Sequence, residues 1–274
     1  MTMNSTPKIF DTHAHYDDEA FDPDREAVIA SLREHGIGAV VNVGANRAGT
    51  EHSLELAQKY DFFYGAAGVH PSDTMEFENS TVSISWLREI ASQPKMLAIG
   101  EIGLDYYWDT PDRAIQKKWF LEQLALAKEL DKPVIIHSRD AAKDTLDLIR
   151  EAGGADMSMV IHCFSYEVEM AREYLKMGHF FGIGGVSTYK NARKLKEVIR
   201  FLPLEQILLE TDCPYLSPTP HRGKRNSSLN LEYVIHAIAE LKEISEEEVI
   251  AVTWANAHRF YRLPEPESSL TENI

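Results

Sequence analysis

The sequence predicts a single (β/α)8 barrel of the TIM type, and two observations support that prediction. Eight short, nearly continuous apolar runs recur along the 274 residues, as expected of strands buried on both faces. Charged stretches of helical period separate these runs. The number of strands and the positions of the polar residues favour the barrel over the alternative, a doubly wound open sheet.

The predicted strands are Lys8–His13, Ile37–Val43, Phe62–Val69, Met96–Ile102, Pro133–His137, Met159–Cys163, His179–Ile183 and Ile207–Thr211. The predicted helices are Arg25–His35, Thr50–Tyr60, Val82–Ala91, Arg113–Leu130, Ala141–Glu151, Glu167–Met177, Ala192–Phe201, Leu229–Lys242 and Glu246–Tyr261. Ser245, with Glu248 three residues on, forms a capping-box pattern at the start of the last helix. We expect one barrel domain over residues 1–263 and a loose, polar tail over residues 264–274.

Composition excludes several classes of protein. The formal net charge is −15, and an acidic surface repels long polyanions. This disfavours a protein that coats nucleic acid over a wide footprint, although a small site can still bind a few phosphates. Two cysteines are too few for a disulfide framework or a cysteine zinc site. No apolar run approaches the roughly 18 residues that a membrane span needs, so we expect a cytoplasmic protein that does not contact a membrane. We also expect no obligate protein partner.

Histidines and carboxylates occur at the ends of predicted strands, where barrels of this type carry functional residues. His13 and His15 end the first strand and lie two residues apart, so their side chains face the same way. The fourth, fifth, sixth and eighth strands end with Glu101, His137, His162 and Asp212. Each of these residues alone is more often structural, but the six together predict a metal site.

Six ligands are too many for one tetrahedral ion and suit two divalent ions, which we expect to be Mg, Mn or Zn. Two ions about 3.5–4 Å apart need a bridging anionic group, and Glu101 is central in the set. The mixed shell of imidazole and carboxylate suits Zn or Mn better than Mg. Asp11 shares the face of the two first histidines and either supports a ligand or caps the strand end. His179, at a strand start, is expected to be structural.

Four further residues are candidate substrate contacts: His70, Asp105, Arg139 and Arg222. His70 ends the third strand and suits either a phosphate contact or a structural turn. Arg139 lies at the predicted rim, and Arg222 opens a positive cluster whose alternative interpretation is a solvated loop. Asp105 precedes aromatic residues that either stack on nucleobases or pack in the core.

Seven sequence blocks occur in barrel order: Phe10–His15, Gly68–Pro71, Gly100–Tyr107, Pro133–Ala141, His162–Ser165, Leu209–Pro214 and Pro220–Asn226. With these blocks the chain, from Phe10 to about Leu263, resembles the TatD family of metal-dependent deoxyribonucleases in the amidohydrolase superfamily. Two positions depart from the family pattern. Tyr166 stands where many members have Gly, and Cys213 stands where many have Ser or Ala.

The resemblance implies a metal role for the same six residues and adds a substrate. Family members are Mg-dependent nucleases, often 3′-to-5′ exonucleases on single-stranded DNA. We therefore expect hydrolysis of phosphodiester bonds in short single-stranded DNA or at 3′ ends, with Glu101 and Asp212 as catalytic residues. Asp212 would accept the proton of the attacking water.

Other substrates remain open, because the same ligand set would serve them. The alternatives are a D-aminoacyl-tRNA deacylase and an amidohydrolase or phosphoesterase acting on small molecules. A barrel without activity that serves as a binding scaffold is disfavoured, because all six ligands are intact.

Overall fold

The computed structural model describes residues 8–78, 84–108 and 110–264. Within these residues eight strands form one sheet, and each strand pairs in parallel with the next along the chain. The strands are β1 (Ile9–Ala14), β2 (Ile37–Val43), β3 (Phe63–Ala67), β4 (Met96–Asp105), β5 (Val134–Arg139), β6 (Met159–Ile161), β7 (Phe180–Ile183) and β8 (Ile207–Leu209). The (β/α)8 barrel predicted from the sequence is confirmed.

The sheet closes at the seam between β8 and β1. The backbone N–H of Asp212 donates to the carbonyl oxygen of His13 at 2.9 Å. The N–H of His15 donates to the carbonyl oxygen of Cys213 at 2.8 Å, beside a parallel bridge between Cys213 and Ala14. Closure therefore brings two parts of the predicted site, at opposite ends of the chain, onto neighbouring strands.

Asp11 holds this seam from inside the protein. Its buried carboxylate accepts hydrogen bonds from the backbone N–H and the hydroxyl of Thr211, at 3.0 and 2.7 Å. It also accepts one from the hydroxyl of Ser228 at 2.7 Å and one from the N–H of His13 at 3.3 Å. Burial outweighs these bonds and raises the pKa of Asp11 to about 7. Of its two predicted roles, the structure supports the backbone cap.

Ten α-helices lie in the described residues, and most of them connect consecutive strands. They are α1 (Arg25–Leu32), α2 (Arg47–Lys59), α3 (Thr74–Glu78), α4 (Ile84–Ala91), α5 (Arg113–Glu129), α6 (Ala142–Glu151), α7 (Val168–Lys176), α8 (Arg193–Phe201), α9 (Leu231–Lys242) and α10 (Glu246–Tyr261). The N-cap bond of the predicted capping box at the start of α10 is present, since the Ser245 hydroxyl accepts from the N–H of Glu248. None of these helices is both long and apolar enough to cross a membrane.

Differences from the predicted elements are confined to their ends and to one short helix. Strand β4 runs three residues further than predicted, because Gly103–Asp105 pair with the end of β5. Helix α3 was not predicted, since five residues are too few to display an apolar period. The first two residues of the predicted helix Val82–Ala91 lie outside the described residues. The predicted tail also lies outside them beyond Pro264.

One histidine lies in the core without a hydrogen bond. His179 precedes β7 and is fully buried, and neither ring nitrogen has a partner among the described residues. Burial lowers the pKa of this imidazole from 6.5 to about 4. The folded pKa is therefore lower than the unfolded one. Above about pH 6.5 the ring is neutral in both the folded and the unfolded chain, and the free energy of unfolding is at its full value with respect to this group. As the pH falls toward 4, the unfolded chain takes up a proton that the folded chain does not, and stability is lost.

We expect the substitution His179→Leu to remove this pH dependence. Between pH 7 and pH 5, the free energy of unfolding of the wild type should fall by about 2 kcal/mol more than that of the variant. Urea unfolding of both proteins at both pH values measures the difference, and the comparison cancels the other titrating groups. The same pH dependence in both proteins would contradict the prediction.

Candidate metal centre

All six predicted metal ligands converge at the carboxyl ends of the strands. His13 lies on β1, Glu101 on β4 and His137 on β5. The remaining three follow the ends of β1, β6 and β8, namely His15, His162 and Asp212. Five of them form two overlapping groups of metal-ligand type, and His137 groups with Glu101 and His70; within each group the ligand atoms lie no more than 4.8 Å apart.

One half of the cluster contains His13, His15 and Asp212. The Nε2 atoms of the two histidines are 3.1 Å apart. Asp212 Oδ1 lies 3.3 Å from Nε2 of His15 and 3.9 Å from Nε2 of His13. Glu101 Oε2 closes this half at 3.5 Å from Nε2 of His13. Two imidazole nitrogens and two carboxylate oxygens therefore face one small volume.

The other half contains His137 and shares Glu101 with the first. His162 borders both halves, because its Nε2 lies 3.8 Å from Oδ1 of Asp212 and its ring stacks on that of His13 with the centroids 3.6 Å apart. Glu101 Oε1 lies 2.7 Å from Nδ1 of His137 and 3.7 Å from Nε2 of His162. The Glu101 side chain is only 6 % exposed. Its two oxygens thus face different histidines, which is the arrangement expected of a bridging carboxylate.

Hydrogen bonds on the outer side of the histidine rings orient their inner nitrogens. Nδ1 of His15 lies 2.8 Å from the carbonyl oxygen of Val43, which can only accept, so this nitrogen carries the proton. Nδ1 of His162 lies 3.1 Å from Oε2 of Glu210. In the neutral form of each ring, the lone pair is therefore on Nε2 and points into the cluster.

Asp105 orients His137 in the same way. Its Oδ2 lies 3.0 Å from Nε2 of His137, which leaves Nδ1 of that ring facing Glu101. The Asp105 carboxylate is buried, and its Oδ1 accepts from the backbone N–H of Tyr107 at 3.0 Å. We expected Asp105 to contact substrate. The structure places it behind His137, and we assign it a positioning role there.

Glu210 belongs to the site although sequence reasoning did not select it. Besides contacting His162, its carboxylate accepts from the backbone N–H of Cys163 at 2.6 Å. A Cβ atom on Gly182 would lie 2.1 Å from Oε2 of Glu210, so the strand beside this carboxylate needs glycine. The sequence signal that could have identified Glu210 is its carboxylate at a strand end, within the block Leu209–Pro214.

Charge inside the cluster is balanced between carboxylates and imidazoles. Burial lowers the pKa of His162, but the charges of Glu210 and Glu101 outweigh it and raise the pKa to about 10. Burial likewise opposes the charged form of Glu101, yet His162 and the other histidines hold the pKa of this carboxyl well below its usual range. Glu101 is therefore ionised, and a bound cation would take the place of the protons on the imidazoles.

The donor set fits a divalent cation. Neutral imidazole nitrogens with ionised carboxylate oxygens suit Zn, Mn and related ions. Nδ1 of His13 has no hydrogen-bond partner among the described residues. The remaining ligand histidines are oriented from outside, as metal-bound imidazoles commonly are.

His70 lies beside the second half of the cluster. Its ring centroid is 4.3 Å from that of His137. Nδ1 of His70 accepts from the backbone N–H of Ser72 at 3.2 Å, so the other ring nitrogen carries the proton. Burial, helped by the neighbouring His137, lowers the pKa of His70 to about 3. The ring is therefore a neutral hydrogen-bond donor.

Two arginines near the site keep their charge available. The Arg139 guanidinium lies 3.9 Å from the ring centroid of Tyr107, and that of Arg222 lies 4.4 Å from the ring centroid of Tyr189. Neither forms an ion pair with a carboxylate in the described parts of the chain. Arg225 is different, because both of its terminal nitrogens lie 2.7 Å from the carboxylate of Asp24. The positive cluster after β8 is thus partly neutralised.

Sequence comparison relates the chain to a class of enzymes that this site fits, the metal-dependent hydrolases. The chain is 42% identical over 255 residues to the uncharacterized metal-dependent hydrolase YabD of Bacillus subtilis, covering 93% of this chain and 99% of that protein. It is 34% identical over 262 residues to the uncharacterized metal-dependent hydrolase TatD of Mycobacterium tuberculosis, covering 92% and 97%.

Structural and family comparisons define the relationship further. The crystal structure of YjjV, a TatD homolog from Escherichia coli, matches with a TM-score of 0.87 at 31% identity, over 94% of this chain and 99% of that one. The family described as "TatD related DNase" matches residues 10–262. The chain therefore belongs to the TatD family, which confirms the resemblance seen in the sequence, and it is a metal-dependent hydrolase.

We expect the substitution Glu210→Gln to weaken metal binding. Removal of the Glu210 charge behind His162 should lower the affinity of the metal site that includes His162 by roughly 10- to 100-fold. Losses of this size are typical when a group that supports a metal ligand is removed. Titration of metal-free protein with Zn or Mn against a chromophoric chelator measures the affinity.

The matched control is Glu240→Gln, at an exposed glutamate on α9. Far-ultraviolet circular dichroism checks that both variants fold. Equal metal affinities for the two variants would show that Glu210 does not support His162.

Proposed function

We propose that this protein hydrolyses phosphodiester bonds of DNA, acting as a 3′-to-5′ exonuclease on short single-stranded DNA or on 3′ ends. The observation that carries the proposal is the buried Glu101 carboxylate between two groups of histidines. The family description, "TatD related DNase", supports the same chemistry.

We further propose that the cluster binds two divalent ions, which Glu101 would help to hold together with the surrounding histidines and Asp212. His13, His15 and Asp212 would hold one ion, and His137 and His162 would hold the other. Mg, Mn and Zn are the candidate metals, and the four imidazoles favour Mn or Zn over Mg. When bound, such a pair lowers the pKa of a water and neutralises charge on the phosphate.

Asp212 is the best placed group to receive the proton of the attacking water. Its side chain is 17 % exposed, against 6 % for Glu101, so water reaches it more easily. Burial opposes ionisation of Asp212, but the hydrogen bond to His15 and the charge of His162 outweigh it and lower the pKa of the carboxyl. Asp212 is therefore an ionised acceptor at neutral pH.

Three side chains are suited to hold the phosphate. Arg139 and Arg222 offer guanidinium groups, which form paired hydrogen bonds with phosphate oxygens. His70 offers a neutral N–H beside His137. Donors placed around the developing charge stabilise the transition state more than they stabilise the bound substrate.

The charge of the chain favours the end of a strand as substrate. At a net charge of −15, the protein repels a long polyanion over most of its surface. A few phosphates at one end of a strand can be held by the local cations and the bound metal. An exonuclease needs no wider footprint.

We expect purified protein with Mg or Mn to shorten single-stranded DNA stepwise from its 3′ end. Separate labels on the 3′ and 5′ ends would identify the end that is attacked. Glu101→Ala, prepared identically, should lose activity at least 100-fold, because each half of the cluster loses an oxygen ligand.

Thermal denaturation shows whether the Glu101→Ala protein is folded. Wild-type activity in a folded, metal-replete Glu101→Ala sample would contradict the bridging role of this residue. DNA left intact by the wild type in every metal would contradict the nuclease proposal. The same preparations would then be assayed on D-aminoacyl-tRNA and on small esters and amides.

A further inference from the structure

Exposed large apolar side chains are concentrated on one face of the barrel. Among the described residues they are Met75, Tyr107, Trp108, Tyr215 and Leu216. All five lie in segments that follow the carboxyl ends of strands, after β3, β4 and β8. This is the face that carries the ligand cluster. Single exposed apolar residues are ordinary, but a group confined to the face of a site marks a binding surface.

One group of side chains on this face, the aromatic group, contains the rings of Tyr107 and Trp108 with the guanidinium of Arg139 beside them. The rings of Tyr107 and Trp108 are 5.0 Å apart and nearly perpendicular. Arg139 lies 3.9 Å from the Tyr107 centroid and 6.0 Å from that of Trp108. The Trp108 side chain is nevertheless 63% exposed, so the group leaves much of its ring surface open to a ligand.

This aromatic group is attached to the second half of the ligand cluster. The backbone N–H groups of Tyr107 and Trp108 both donate to Oδ1 of Asp105, at 3.0 and 3.4 Å. The other oxygen of the same carboxylate contacts His137. One buried side chain therefore fixes both a metal ligand and the two rings.

Tyr215 lies beside the first half of the cluster. Its ring centroid is 6.3 Å from that of His15, and its hydroxyl donates to Oδ2 of Asp18 at 2.6 Å. The hydrogen bond holds the ring in place while about half of the residue remains exposed. Aromatic rings thus stand next to both halves of the proposed metal centre.

We infer that these rings stack on the nucleobases next to the phosphate that is cleaved. This inference rests on the proposed function. Flat rings, with a guanidinium over one of them, are the groups that proteins use to bind single-stranded nucleic acid. Bases in a duplex are already stacked and paired, so they would have to be separated first.

Charge also favours a nucleotide over an apolar partner. Arg139 is part of the aromatic group and forms no ion pair among the described residues, although the chain carries an excess of acidic residues. A nucleotide presents a base to the rings and a phosphate to this cation. An apolar protein surface would leave the guanidinium without a counter-charge.

The test compares two substrates that differ only in their bases. One is a labelled oligothymidylate, and the other carries abasic residues in its last three positions, with the same phosphodiester bonds. We expect wild-type kcat/KM to be roughly 5- to 150-fold higher for the first, the range given by one stacked base. Trp108→Ala and Tyr215→Leu should each reduce this ratio at least 3-fold. Trp108→Phe and Tyr215→Phe keep a ring and should retain most of it.

The outcomes separate this inference from the proposed function. Equal cleavage of both oligonucleotides by the wild type would overturn base stacking and leave the nuclease in place. If neither is cleaved, the proposed function fails, and stacking is decided by binding to the metal-loaded protein. Quenching of the wild-type tryptophan fluorescence by oligothymidylate would then support stacking, provided that the abasic strand does not quench the wild type and oligothymidylate does not quench the Trp108→Phe variant. Equal binding of the two strands would overturn it.

Discussion

Closure of the barrel between β8 and β1 is the constraint on which the rest of the structure depends. The backbone bond from Asp212 to His13 and the buried carboxylate of Asp11 connect segments about 200 residues apart in the chain. Without this seam, His13 and Asp212 would not share one volume. The face that carries the candidate metal centre is therefore a product of the fold as a whole, since five of the eight strands contribute a candidate ligand to it.

The cluster is also organised from outside by groups that would not touch a metal. Val43, Glu210 and Asp105 each bind the outer nitrogen of a histidine and leave the inner nitrogen for the site. These contacts reduce the freedom of the rings before any ion binds. Asp105 has a second effect, because it also fixes the loop that carries Tyr107 and Trp108. Ligand geometry and the aromatic surface are therefore mechanically linked.

The distribution of charge is compatible with the anionic substrate that we propose for this acidic protein. Many surface arginines and lysines form ion pairs and are neutralised by neighbouring carboxylates, as Arg225 is by Asp24. Arg139 and Arg222 instead lie over aromatic rings, which position a guanidinium without cancelling its charge. Under the proposed function, the same chain would repel long polyanions and hold a few phosphates at one place.

The strand order and the convergence of the six candidate ligands could be predicted from the sequence, because both follow from local patterns. Apolar runs mark buried strands, and in a barrel every strand end reaches the same face. The roles of Glu210, Asp105 and Arg225 could not be predicted in this way. Each depends on a partner in another part of the fold, His162, His137 and Asp24, and a local pattern does not identify such partners. Which aromatic rings remain exposed was likewise decided only when the loops packed around the site.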